Sequence, residues 1–75
     1  MEYILVTLNY SKSSGVDMKI PVFMTVEEFV GIICEIYNVK GTTLQSEPQG
    51  ILLSKKLSFA EQQVEHGTLL TIVES

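Results

Sequence analysis

Apolar and polar positions change their spacing along this chain, and the changes mark out its elements. Between Thr25 and Asn38 the apolar residues Val26, Phe29, Val30, Ile33, Ile36 and Tyr37 recur three and four apart, the period of one helix face. Glu27, Glu28, Gly31 and Glu35 fall on the opposite side, and Ile32 and Cys34 flank the stripe. Thr25 stands at the N-cap position with Glu28 three residues later, the spacing of a capping box. Glu27 and Glu28 also put negative charge at the positive end of the helix dipole. Asn38 and Gly41 are both suited to ending the helix in a left-handed conformation.

Upstream of Thr25 the period is that of strands. Glu2 to Tyr10 is β-branched and aromatic, has no Gly or Pro, and is apolar at most interior positions, as expected for a central strand. Ile4, Val6 and Leu8 share one parity; Tyr3, Leu5, Thr7 and Asn9 share the other. Ser11 to Gly15 reads as a hairpin loop. Val16, Met18 and Ile20 then alternate with Asp17 and Lys19, the pattern of a half-buried strand that Pro21 ends. One of Val22, Phe23 and Met24 is expected to staple the first helical turn.

Beyond the helix the elements are shorter. Thr43 to Glu47 reads as a strand around Leu44, Pro48-Gln49-Gly50 as a turn, and Ile51 to Leu53 as a second strand. Leu57 to Val64 is expected to make one helical or 3₁₀ turn, with Leu57, Phe59 and Val64 in the core. Glu65-His66-Gly67 is a turn, and Thr68 to Val73 the last strand. One amphipathic helix, about residues 25–38, across one face of a mixed four- to five-stranded sheet is an α+β fold. With 75 residues, one domain over 1–75 is expected.

Composition narrows the function. Five cations, all Lys, against nine acidic residues leave a net charge of −4 with no Arg fork for phosphate, which argues against a nucleic-acid partner. No apolar run approaches the ~20 residues of a membrane span, and no signal peptide is legible, so no membrane insertion and a cytoplasmic location are expected. One Cys and one His supply neither a disulfide nor a metal cluster, and no nucleophile–base pair or phosphate loop is in view. Hence no enzyme, metal or cofactor is expected. Cys34 reads as a core-flanking residue, His66 as a solvated turn residue, and Glu27, Glu28 and Glu35 as a solvated face.

VDMKIP followed by TVEEFV resembles the second strand and helix start of ubiquitin-like β-grasp proteins, including Pro21 after the strand and Thr25 at the cap. Leu57-Ser58, then Val64-Glu65-His66-Gly67-Thr68 with Leu70 and Ile72, resembles their closing segment. Within that group the chain is most similar to the small YukD/EsaB proteins of Gram-positive bacteria, by its length, its opening strand with a polar hairpin, and its Gly-x-x-Leu-x-Ile ending. It departs from them at His66-Gly67-Thr68, where they carry Asn or Asp before Gly-Asp, and in a longer Leu57–Val64 segment. The resemblance implies a non-catalytic cytosolic accessory or regulatory component of type VII (WXG-type) secretion, binding a protein such as a membrane component of that system. The ending Ile72-Val73-Glu74-Ser75 lacks a Gly-Gly tail, so conjugation and sulfur carriage are not expected.

The β-grasp also implies where partners bind. With Ile4, Val6 and Leu8 against the helix, and Leu70 and Ile72 likewise, Tyr3, Leu5, Leu69 and Val73 are expected side by side on the uncovered sheet face. Such an apolar patch marks a protein-binding surface. A homodimer or other self-associating unit built on the same face is the alternative, as is an adaptor unrelated to secretion.

Overall fold

The computed structural model describes residues 2–11, 14–47 and 49–74. Its strands are β1 (Tyr3–Ser11), β2 (Ser14–Pro21), β3 (Thr43–Glu47), β4 (Ile51–Leu52) and β5 (Leu69–Val73), with the helix α1 (Val26–Tyr37) between β2 and β3. They form a five-stranded sheet in the order β2-β1-β5-β3-β4. β1 and β5 run parallel at the centre, and the other pairings are antiparallel. This is the α+β, β-grasp arrangement expected from the sequence.

The helix begins where its local chemistry dictates. The Thr25 hydroxyl accepts from the Glu28 amide at 3.3 Å and the Glu28 carboxylate accepts from the Thr25 amide at 3.2 Å, so the capping box closes in both directions. The first amides of a helix lack intrahelical acceptors. Here Val26 donates to the Leu57 carbonyl and Glu27 to the Lys55 carbonyl, both at 3.1 Å. The 55–60 loop is therefore clasped to the helix start. It gains two further bonds, from Phe59 to the Met24 carbonyl and from Ala60 to the Val22 carbonyl. At the other end Asn38 takes the left-handed conformation, and the Asn38 and Val39 amides both donate to the Cys34 carbonyl. Thr25→Ala is expected to lower stability by about 1 kcal/mol, and Thr25→Ser to restore most of it. Urea denaturation of the three proteins checks this; equal midpoints would discount the cap.

The core lies between helix and sheet. Val26, Phe29, Val30 and Ile33 from α1 meet Val6, Leu8, Ile20, Leu44 and Leu70 from the strands, with Leu53 and Phe59 closing one end. The Phe29 and Phe59 rings meet edge to face, centroids 5.5 Å apart. At the far end Tyr10 and Tyr37 stack at 4.2 Å and tie the helix C-terminus to β1. Buried Thr43 gives its hydroxyl to the Leu53 carbonyl at 2.7 Å.

Two expectations about burial, for Ile36 and Leu57, need correction, and the one for the residues before the cap is met. Ile36 is 67% exposed instead of joining the stripe, and Ile32 is 45% exposed beside it; the two line a shallow groove on the helix with Glu35. Leu57 is 40% exposed: its carbonyl is used by the helix start, and its side chain turns outward. Of the residues before the cap, Val22 is buried and Met24 packs on the core, whereas Phe23 is exposed. The 57–64 segment makes one turn, Gln62 amide to Ser58 carbonyl, which a left-handed Gln63 stops. Ser58 and Glu61 exchange backbone-to-side-chain bonds around that turn. The loop expected over Ser11 to Gly15 is overtaken by the strands, since β1 runs to Ser11 and β2 starts at Ser14; Lys12, Ser13, the expected Pro48 turn position and the terminal Ser75 lie outside the described residues.

Candidate binding face

Alternation along the central strands sets the outer face of the sheet. On β1 Val6 and Leu8 are buried under the helix, so Tyr3, Leu5 and Thr7 point the other way, with Tyr3 51% and Leu5 42% exposed. On β5 Leu70 is buried and Leu69 is 36% exposed. The parity read from the sequence holds at each of these positions.

The register then decides which of them adjoin. Leu69 lies beside Thr7, one pleat from Leu5. Diagonal neighbours on a sheet lie about 7–8 Å apart, within reach of long side chains. Tyr3 continues the same row of β1 beyond Leu5. Tyr3, Leu5 and Leu69 therefore form one apolar strip. Val73 does not belong to it. Tyr3 lies four positions before Thr7, and Val73 four positions beyond Leu69 on a strand running the same way. At ~3.3 Å per residue they stand roughly 26 Å apart. Val73 instead pairs with Thr43 and is half-buried. The expectation of four residues side by side is corrected to three.

The turn before β5 is bonded to the Leu5 backbone. Gly67 has φ +89° and its amide donates to the Leu5 carbonyl at 2.7 Å. The Leu5 amide donates to Nδ1 of His66 at 3.1 Å, and the Thr7 amide to the Thr68 carbonyl at 3.1 Å. The exposed imidazole thus takes the place of a strand carbonyl and ends the β1–β5 ladder. Sequence reading missed this role, since the contact joins residues 61 apart. A lone His in a turn offers no local signal for it.

Polar neighbours frame the strip. Lys19 stands opposite Leu5, Asp17 opposite Thr7, and Glu47 opposite Leu69. Cys34 is half-buried, its Sγ 3.7 Å from the Gly41 carbonyl oxygen. Glu27, Glu28 and Glu35 are exposed, and Glu27 comes within 3.9 Å of Lys56. That pair is well solvated and contributes little. Among the described residues no cluster of three His, Cys, Asp or Glu side chains is placed to hold a metal ion, and no helix is long and apolar enough to cross a membrane.

No family model and no curated protein matches this chain. Solved structures do. A ubiquitin from Caldiarchaeum subterraneum aligns with a TM-score of 0.75 at 12% identity, over 99% of this chain and 95% of that one. The ubiquitin-like domain of Plasmodium falciparum Dsk2 aligns at 0.69 with 18% identity, over 95% and 99%. The EccD5 ubiquitin-like domain from Mycobacterium xenopi aligns at 0.59 with 15% identity, over 100% and 99%. The fold is ubiquitin-like along nearly the whole chain. At these identities the likeness is one of fold.

Proposed function

We propose that the chain is a non-catalytic ubiquitin-like module, one domain over residues 1–75, that binds a protein partner through Tyr3, Leu5 and Leu69. The observation that carries this is the contiguous apolar strip on the uncovered sheet face, in a fold this small. Exposed apolar patches on soluble domains mark interaction sites more often than chance. The opposite face is occupied by the chain's own helix, so this face is the one the fold leaves open.

The finer reading is a cytoplasmic accessory or regulatory component of type VII secretion in a Gram-positive bacterium. Its support is the resemblance of VDMKIP-TVEEFV and of the closing segment to the YukD/EsaB proteins. A bacterial ubiquitin-like domain, that of EccD5, among the fold neighbours is compatible with it.

Leu5→Arg combined with Leu69→Arg is expected to leave the far-UV circular dichroism unchanged. It should weaken binding to the soluble part of a type VII membrane component by about 100-fold or more, as for two central hot-spot residues. Undiminished binding by the double variant rejects the docking face. Failure of the unaltered protein to bind any component of the system rejects the secretion role. Light scattering over a concentration series tests the homodimer: a stable dimer dissolved by the same double variant would assign the face to self-association.

A further inference from the structure

The outer face carries two carboxylates whose placing selects a kind of partner. One row across the sheet reads Asp17, Thr7, Leu69, Glu47, each the register partner of the next. Both carboxylates are oriented by neutral donors. The Thr7 hydroxyl donates to Asp17 Oδ1 at 2.6 Å. Gln45 Nε2 and the Thr71 hydroxyl donate to Glu47 Oε2 at 3.1 and 3.3 Å. Neither carboxylate forms an ion pair among the described residues, where the salt bridge is that of Glu27 with Lys56. The one cation in register with this strip is Lys19, opposite Leu5. At the Thr7–Leu69 row the face is therefore bracketed by fixed negative charge on both flanks, with Lys19 one pleat away beside Leu5, in a chain of net charge −4.

Spacing gives the partner's shape. Adjacent strands lie ~4.8 Å apart, so the three steps from Asp17 to Glu47 span about 14 Å at the backbone. A helix with its side chains is about 10–12 Å wide. An extended peptide could not add at Leu5 or Leu69 as a strand, because the Leu5 backbone is already bonded to the His66–Gly67 turn and Leu69 lies between β1 and β3, whereas strand addition needs an open edge.

We propose that this face receives an amphipathic helix of a partner protein, with its apolar stripe on Leu5 and Leu69 and a Lys or Arg from each flank meeting Asp17 and Glu47. The inference rests on the partner-surface reading above and adds the partner's shape and charge. Charges at such a rim act mainly on selectivity and on encounter rate.

Two synthetic amphipathic peptides test it, each of about four helical turns with the same leucine stripe, one flanked by Lys and the other by Glu. Each is titrated into the isotopically labelled protein and followed by amide chemical shifts. The Lys peptide is expected to bind about tenfold tighter or more, to move the Leu5 and Leu69 amides, and to lose its advantage near ~0.5 M salt. Asp17→Lys with Glu47→Lys should reverse the order of the two peptides. Should that pair disturb the fold, Asp17→Asn with Glu47→Gln should abolish the preference. Equal or inverted affinities in the unaltered protein, shifts confined to other surfaces, or a preference that survives both variant pairs would overturn the proposal. If both peptides move Leu5 and Leu69 equally, the charge assignment fails while the docking face stands. If neither moves them, the helical partner fails, and the Leu5→Arg, Leu69→Arg experiment judges the face separately.

Discussion

Phe59→Ala is expected to remove about 3–5 kcal/mol of stability, the cost of truncating a fully enclosed aromatic ring. Phe59 is 0% exposed and meets Phe29 edge to face. Its own backbone is fixed from both sides, the amide to the Met24 carbonyl and the carbonyl to the Val64 amide. The loop therefore cannot readily collapse into the space the ring leaves. At ~0.05–0.15 kcal/mol per residue, a chain of 75 residues has in total about 4–11 kcal/mol to lose. The variant should be close to its unfolding midpoint, and guanidinium titration should show it. Leu57→Ala, two residues away and 40% exposed, is the control and should cost well under half as much. A similar loss at both positions would mean that Phe59 does not anchor the core.

Gly41→Ala is expected to cost about 1–3 kcal/mol by overpacking. A methyl at residue 41 would lie 2.1 Å from Cγ2 of Ile72 and 3.4 Å from the Val73 carbonyl oxygen. Ile72 is β-branched and has little rotamer freedom with which to yield. The Thr42 amide is bonded to the Val73 carbonyl at 2.9 Å, so the two segments cannot simply part. The cause can be isolated by a double-mutant cycle with Ile72→Ala, which removes the obstructing methyl. In that background Gly41→Ala should become nearly neutral. An unchanged cost would rule out the clash with Ile72 as the reason.

Legibility in the sequence followed the range of each interaction. The capping box, the left-handed Asn38 and the parity of β1, β2 and β5 depend on residues a few positions apart, and all stand as expected. Ile36 lies roughly 80° from the centre of the helix stripe, counting 100° per residue. At that margin the depth of the neighbouring sheet decides burial, and periodicity does not report it. Leu57 sits in a loop with no period to read, and its backbone serves the helix start. The binding strip shows both outcomes at once. Parity placed Tyr3, Leu5, Leu69 and Val73 on the outer face, but which of them touch depends on the β1–β5 register. Register is a long-range quantity, fixed by the Gly67 turn and the His66–Leu5 bond. Asp17 was legible as outward from its alternation. Glu47 became part of the same row only once β3 was known to lie against β5.

The central pairing of β1 with β5 also governs how the domain is made. Thr7 and Leu69 adjoin although 62 residues separate them along the chain. Closing a flexible loop of that length costs about 4 kcal/mol of entropy before any contact repays it. The first hairpin and the helix can form early from neighbouring residues. The sheet has no middle until the segment from Leu69 to Val73 has left the ribosome and slotted between β1 and β3. Nascent fragments ending before it leave Val6, Leu8 and Leu44 without their central neighbour, so this domain forms as one unit, once β5 is available.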